Sequence, residues 1–212
     1  MGDIRTWVLA YFLFTLLFIT TPPIEKSHNW RQTLTNTIAR NFSTGEAEFL
    51  YPMVDHAGSR SGIIGSEFPA YNYAIGKCMQ WFGFAHWYGR LINLLFTCFG
   101  ILAFSRIIKL LFNKQMALYA GLFLLFSVWF TFGRKIMPDT LSLSIVIMGM
   151  YSGLLFLESS KWYQLAGMIL GISLGILIKM PAAVVLAPFA LILLPKKWST
   201  TRKVLVSIGT LL

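Results

Sequence analysis

Residues 4–21, IRTWVLAYFLFTLLFITT, decide the fold class, because Arg5 is the only charged residue in this run. At about 1.5 Å per residue, a helix of this length measures roughly 27 Å, close to the hydrocarbon thickness of a bilayer. A signal peptide would be equally apolar, but the run ends in Thr-Thr-Pro-Pro-Ile, without a small-residue cleavage site. We therefore predict an uncleaved first membrane span.

The composition of the whole chain favours a membrane protein. Of its 212 residues, 56% are hydrophobic and 12% are charged, and the mean hydropathy is +0.66. Soluble domains carry about twice that charged fraction, so the composition argues against a soluble enzyme, a disordered chain or a disulfide-rich module. The net charge of +10 comes from scattered Lys and Arg residues rather than from a basic stripe. We therefore expect no nucleic-acid partner.

Further apolar runs predict a polytopic, all-α protein. Predicted spans lie at about 88–112, 116–133, 138–157, 162–180 and 181–195. A last run, 204–212, is too short to cross a bilayer. We therefore predict that residues 1–212 form a single transmembrane domain, which is the N-terminal part of a longer chain and stops inside a seventh span.

The basic residues of the short loops predict the orientation, since they concentrate on the cytoplasmic side. A cytoplasmic N-terminus places nine of them inside: Arg5, Arg106, Lys109, Lys114, Lys161, Lys196, Lys197, Arg202 and Lys203. It places three outside: Arg134, Lys135 and Lys179. The long segment 22–87 then faces the extracytoplasmic side, together with most of the acids and all three histidines. We therefore predict that most of the titratable acids and histidines lie on the extracytoplasmic face.

Two short helices are predicted in the outer segment. The first is amphipathic, because apolar residues recur every four positions in WRQTLTNTIARNF, at Trp30, Leu34, Ile38 and Phe42. Asn29 or Ser27 is the candidate N-cap, and Gly45 follows its end. Such a helix would lie on the membrane surface, as a structural float or with its polar face holding an anionic headgroup. Residues 69–84 form a second interfacial helix or a re-entrant piece.

The loop between these helices holds further acids. Asp55 precedes His56, and Glu67 lies just before a Phe-Pro pair, where it could pair with Arg60. The Glu-Ala-Glu stretch at 46–48 could be half of a divalent-metal site, but two carboxylates are a weak signal. We interpret these two glutamates as solvated, and we expect neither a metal nor a cofactor.

Five motifs, in order, carry a family resemblance. They are HNWRQTLTNTIARNF (28–42), YPMVD (51–55), GIIGSEFPAYNYAIG (62–76), HWYGRLINLLF (86–96) and RKIMPDTLSLS (134–144). Together they resemble the bacterial dolichyl-phosphate-mannose-protein mannosyltransferase-like family. This family belongs to the GT-C glycosyltransferases, which include the protein O-mannosyltransferases and the lipid A aminoarabinose transferase.

The resemblance implies a GT-C-like transmembrane helix bundle with a large first extracytoplasmic loop carrying interfacial helices. It implies an inverting, metal-independent transferase of the bacterial inner membrane. Such an enzyme takes a sugar from a polyprenyl-phosphate carrier and moves it to a lipid, glycan or protein acceptor at the extracytoplasmic face. Membrane lipids are then further partners.

The chemistry requires a carboxylate to deprotonate or orient the acceptor hydroxyl. Relatives often carry an acid in a WRQADT-like stretch, but here Thr33 and Leu34 occupy the Ala-Asp positions. The candidate catalytic acids are therefore Asp55, Glu67 and Asp139. A helix start would also favour Asp139, because it follows a proline.

Cations and donors must stabilise the departing carrier phosphate. Five of the candidates are basic: Arg31, Arg40, Arg134, Lys135 and Lys179. Three aromatic or amide-bearing side chains near the first loop helix complete the predicted binding set: His28, Trp30 and Gln32.

Two other functions stay open on the sequence. A transporter or flippase subunit would place ionisable residues within its spans, and a non-catalytic scaffold of an envelope-glycan complex would not need the acids.

Glycines at 167, 171 and 175 share one helix face, and we interpret them as a close helix-packing surface.

Overall fold

The computed structural model describes residues 3–21, 28–55, 57–65, 67–193 and 199–211. Within these ranges the regular secondary structure is helical, with two isolated β-bridges in the outer segment. The helices are α1 (Ile4–Leu16), α2 (Asn29–Thr44), α3 (Ala70–Phe82), α4 (Tyr88–Leu111), α5 (Lys114–Leu125), α6 (Val128–Phe132), α7 (Pro138–Ser159), α8 (Trp162–Ile178), α9 (Leu186–Leu193) and α10 (Thr200–Leu211). A 3₁₀ helix, Met180–Val185, joins α8 to α9.

Two helices, α4 and α7, are long and apolar enough to cross a membrane by length and composition. The other predicted spans correspond to shorter helices. Helix α1 ends at Leu16 and continues as turns to residue 20, so it is shorter than the predicted run 4–21. The run 116–133 is divided between α5 and α6, because the Ser127 hydroxyl donates to the carbonyl of Leu124 and accepts from the amide of Trp129.

Helices α7 and α8 form the centre of the bundle, and small residues allow their backbones to approach closely. A Cβ atom added at Gly171 would lie 2.9 Å from the Cα of Gly149, and one at Gly175 would lie 2.8 Å from the Ser142 carbonyl oxygen. The Ser142 hydroxyl donates back to the Gly175 carbonyl at 2.9 Å. The predicted close-packing role of these glycines is therefore confirmed. Because interiors are close-packed, the two helices are held at a fixed separation.

The outer segment packs on one end of this pair. Helix α2 is the amphipathic helix expected from the sequence and ends at Gly45, whose φ is +81°. It begins at Asn29, with His28 in the N-cap position and no side-chain cap, so the expected Asn29 N-cap is wrong by one residue. The alternative, Ser27, lies outside the described residues.

A second core joins α2 and α3 to the bundle. Its fully buried members include Ala39 from α2 and Ile75 from α3, which pack with Ile136 before α7 and with Ile178 at the end of α8. Because these four side chains share one apolar cluster, α2 is docked against the first turn of α7 and the last turn of α8. The polar ends of these three helices therefore meet.

Candidate functional site

Lys179 occupies the centre of the site. Its ammonium nitrogen lies 2.8 Å from Asp139 Oδ1 and 3.2 Å from Glu67 Oε1. The second oxygen of Glu67, Oε2, accepts a hydrogen bond from Arg31 Nη2. Two of the three predicted catalytic acids and two of the predicted phosphate ligands thus form one connected cluster, Arg31–Glu67–Lys179–Asp139. The sequence also allowed a pair between Glu67 and Arg60, but in the structure Glu67 pairs with Arg31 and Lys179.

The cluster is only partly shielded from water, since its four side chains are 22–34% exposed. Two positive and two negative charges balance formally. One polar atom is left over: Asp139 Oδ2 is buried and has no hydrogen-bond partner among the described residues. A buried unpaired carboxylate oxygen is costly, so this atom is a strong acceptor for an approaching hydroxyl or amide.

The helix ends fix the positions of these side chains. Lys179 is the C-cap of α8, where the backbone becomes extended (φ −154°, ψ 106°) two residues before Pro181. Pro138 begins α7, so Asp139 lies in its first turn, where the helix dipole favours a carboxylate. The amide of Phe68 donates to the Leu177 carbonyl at 3.4 Å, which holds the Glu67 backbone beside the end of α8.

Gln32, one of the predicted ligands, makes a structural link between two elements. Its side chain is fully buried, and its Oε1 accepts a hydrogen bond of 3.1 Å from the amide of Ile136. It therefore ties α2 to the turn before α7, one residue along the helix from Arg31. Its amide nitrogen has no hydrogen-bond partner among the described residues.

Asp55 lies in a different environment from the other two acids. It pairs with Arg40 at 2.5 Å and accepts a hydrogen bond of 3.1 Å from Asn41. Arg40 follows Arg31 by nine residues on α2, which places the two arginines on opposite faces and about 13 Å apart along the axis. Both members of the Arg40–Asp55 pair are nearly half exposed. The structure thus separates Asp55 from the Lys179 cluster.

The remaining predicted ligands surround α2 and the turn before α7. Lys135 is buried, with its ammonium 5.1 Å from the centre of the Phe132 ring, and Arg134 is half-buried beside it. The ring of His28 packs edge-on against the same Phe132 at 5.3 Å, whereas Trp30 is 68% exposed.

Among the described residues, no three His, Cys, Asp or Glu side chains form a group that could bind a metal ion. His56 lies outside the described residues.

Residues 66–212 match the family described as dolichyl-phosphate-mannose-protein mannosyltransferase. This match covers more than half of the chain and includes Glu67, Asp139 and Lys179. The chain belongs to that family. The resemblance inferred from the motifs is therefore confirmed, and membership makes the protein a membrane glycosyltransferase of the mannosyltransferase type. No curated protein and no solved structure shows significant similarity to the chain.

In this mannosyltransferase-family protein, sequence reasoning missed Asn93 as a positioning residue. The side chain is fully buried in α4, and its amide donates to the carbonyls of Phe132 (3.1 Å) and Lys135 (2.8 Å). Its Oδ1 accepts a hydrogen bond from the Thr140 hydroxyl at 2.9 Å. Asn93 therefore fixes the turn that precedes Asp139. An amide inside an apolar run is the sequence signal that could have identified it.

Arg90 was also missed. Its side chain is 2% exposed, and its guanidinium donates to the hydroxyl of Thr21 at 2.9 Å and to the backbone carbonyl of the same residue. It thereby holds the end of the first apolar run against α4.

In the same region, burial raises the pKa of the Tyr71 phenol, whose hydroxyl donates to the Gly89 carbonyl at 2.8 Å. Both contacts secure the packing of the outer segment.

Proposed function

We propose that the protein transfers a sugar from a polyprenyl-phosphate carrier to a lipid, glycan or protein acceptor at the extracytoplasmic membrane face. The observation that carries this proposal is the position of Lys179 between the carboxylates of Glu67 and Asp139, with Arg31 on the other side of Glu67. The family description, which names a dolichyl-phosphate-linked mannose donor, supports a lipid-phosphate carrier.

Asp139 is the proposed general base. In the transfer step, the acceptor oxygen forms a bond to the anomeric carbon while the bond from that carbon to the phosphate oxygen breaks. The acceptor proton moves to Asp139, and the carrier leaves as polyprenyl phosphate. The buried, unpartnered Oδ2 of Asp139 supports this role, because an acceptor hydroxyl would supply its missing hydrogen bond.

Lys179 and Arg31 are the proposed phosphate ligands. A lysine ammonium has three donors, and two of them face Glu67 and Asp139, so one is left for a phosphate oxygen. The Arg31 guanidinium uses Nη2 for Glu67 and keeps further donors for a bidentate phosphate contact. Both cations would stabilise the charge that develops on the departing carrier. In this proposal Glu67 orients the two cations.

The membrane placement is part of the same proposal. We infer a GT-C-like polytopic bundle in the bacterial inner membrane, with a cytoplasmic N-terminus and the helices α2 and α3 at the outer interface. Exposed aromatic side chains at the end of α3 support that interfacial position, since Trp81, Phe82 and Phe84 are each at least 68% exposed.

The test is sugar transfer from labelled polyprenyl-phosphate-sugar in membranes that contain the protein at matched expression. Asp139→Asn is expected to lower the transfer rate about 10²- to 10⁴-fold, the range for loss of a general base. Glu158→Gln, at the other end of α7, is the matched control and should transfer at the wild-type rate. Glu67→Gln should weaken carrier binding, and Asp55→Asn should change the rate by a few-fold at most.

Undiminished transfer in Asp139→Asn would remove this residue from the role of base. Loss of transfer in Asp55→Asn alone would move the base to the other side of α2. Absence of transfer by the wild-type protein from every carrier-linked sugar tested would favour the transporter or scaffold alternatives.

A further inference from the structure

A cavity lies at the opposite end of the bundle from the Lys179 cluster. It has a volume of about 560 Å³ and is formed by the first turns of α1 and α5 and the last turns of α4. Tyr151 of α7 also lines it. Because Tyr151 follows Asp139 by twelve residues, the two sites are about 18 Å apart along α7. We call this cavity the basic cleft.

Positive charge dominates the basic cleft. Four cations line it: Arg5, Arg106, Lys109 and Lys114. The single acidic residue that lines it, Asp3, is already engaged, since it caps α1 by accepting from the Arg5 amide at 3.1 Å. The N-termini of α1 and α5 add a partial positive charge, although Asp3 and Asn113 each cap one of their amides. An anion would therefore be attracted into this cleft.

Apolar side chains also line the basic cleft. Leu102, Leu110 and Leu118 line it from α4 and α5, and each remains partly exposed. The guanidinium of Arg106 lies 5.8 Å from the centre of the Tyr151 ring. A free phosphate would use the cations but leave these leucines uncovered, whereas a lipid would contact both.

We propose that the basic cleft binds the phosphate headgroup of an anionic phospholipid, with an acyl chain against the leucine wall. The volume is within the range of small-molecule sites, which is about 300–1,000 Å³. The cations lie at the end of the bundle that the charge pattern predicts to be cytoplasmic, where membranes present anionic lipids. This site goes beyond the proposed transfer reaction and uses none of its residues.

The test measures thermal unfolding of the full chain in a neutral detergent, titrated with phosphatidylglycerol, phosphatidylcholine or inorganic phosphate. Phosphatidylglycerol is expected to raise the Tm in a saturable way, whereas the zwitterionic lipid and free phosphate leave it unchanged. The double variant Arg106→Gln/Lys109→Gln should bind phosphatidylglycerol about 25-fold more weakly, at about fivefold for each cation removed.

Control variants separate a specific site from general charge. Arg106 and Lys109 are exposed, so their replacement removes no buried side chain, and only the Arg106 contact with the Tyr151 ring is lost besides the two charges. Lys77→Gln/Lys161→Gln removes two positive charges elsewhere and should keep wild-type affinity, as should the charge-preserving pair Arg106→Lys/Lys109→Arg. The proposal would be overturned if the Arg106/Lys109 glutamine variant kept wild-type affinity for phosphatidylglycerol. It would also be overturned if the Lys77/Lys161 variant lost as much affinity, or if phosphatidylcholine or free phosphate raised the Tm equally.

Discussion

The Lys179 ammonium and the Asp139 carboxylate are ion-paired at 2.8 Å, joining the C-cap of α8 to the first turn of α7. Helices α7 and α8 are close-packed behind this pair, so backbone contacts fix the separation of the two residues that carry the charges. A cation positioned next to a carboxylate suits a transfer reaction with a phosphate leaving group.

Removing the central cation should disable the site. Lys179→Met leaves Glu67 and Asp139 partly buried without their shared cation, and we expect sugar transfer to fall at least about 100-fold. Lys179→Arg should recover part of the rate, because it restores the charge with different geometry. Transfer assays at matched expression test this, and Lys161→Met, an exposed lysine at the start of α8, is the control. A wild-type rate in Lys179→Met would contradict the phosphate-ligand role.

The two arginines of α2 should differ in their effects. Arg31→Gln removes a member of the Lys179 cluster, so we expect a KM for the carrier-linked sugar raised about tenfold or more. Arg40→Gln breaks the exposed pair with Asp55 and a 3.3 Å hydrogen bond to Asn41, both outside the Lys179 cluster, and surface pairs contribute about 0–1 kcal/mol. Its KM should stay within about twofold of wild type. Steady-state transfer kinetics on both variants measure the difference, and equal KM values would show that α2 does not contact the carrier.

Asn93 should be required for both stability and activity. Asn93→Leu removes three hydrogen bonds, two donated to the carbonyls of Phe132 and Lys135 and one accepted from the Thr140 hydroxyl, which should destabilise the fold by about 1–3 kcal/mol. Because the turn before α7 would shift, the transfer rate should also fall. Thr140→Val loses fewer contacts and should cost about 1 kcal/mol. Thermal unfolding in detergent compares the two, and a smaller loss in Asn93→Leu than in Thr140→Val would contradict the central role of Asn93.

Much of the helical structure could be predicted from the sequence. Four-residue periodicity identified α2, and the apolar piece 69–84 became α3, because local side-chain patterns set these elements. The spacing of Gly167, Gly171 and Gly175 predicted the close contact of α8. These features depend on neighbouring residues along one helix, and local patterns are what a sequence displays directly.

The pairing within the site could not be predicted in the same way. Glu67, Asp139 and Lys179 were each proposed as site residues, but nothing in their spacing indicates that one lysine contacts both acids. The contact depends on how three helix ends dock, which is a property of the tertiary fold. For the same reason the sequence did not indicate that Gln32, one of the predicted ligands, is fully buried and ties α2 to Ile136.

The α7–α8 contact offers a test of close packing. A Cβ at Gly175 would overlap the Val146 side chain and lie 2.8 Å from the Ser142 carbonyl oxygen, and a backbone atom has little room to move. Overpacking costs about 1–3 kcal/mol, more than the roughly 1 kcal/mol that alanine gains over glycine in a helix.

We therefore expect Gly175→Ala to lower the Tm and, by moving Lys179, the transfer rate. Gly65→Ala is the control, because a Cβ there meets no atom within 4 Å. Its unfolding free energy should stay within about 0.5 kcal/mol of wild type. Thermal unfolding of both variants decides the matter, and an unchanged or raised Tm in Gly175→Ala would show that the helices can separate without cost.

The contact between Glu67 and Lys179 also sets an order of events during biosynthesis. Glu67 leaves the ribosome after Arg31, its first cation, but about a hundred residues before Lys179, its second. At typical elongation rates this delay is on the order of ten seconds. During that interval the nascent outer segment carries an acid whose later partner has not been synthesised. Synthesis of Lys179 therefore completes the cluster of two cations and two acids, so a ribosome stalled before residue 179 would present an unfinished site to cellular quality control.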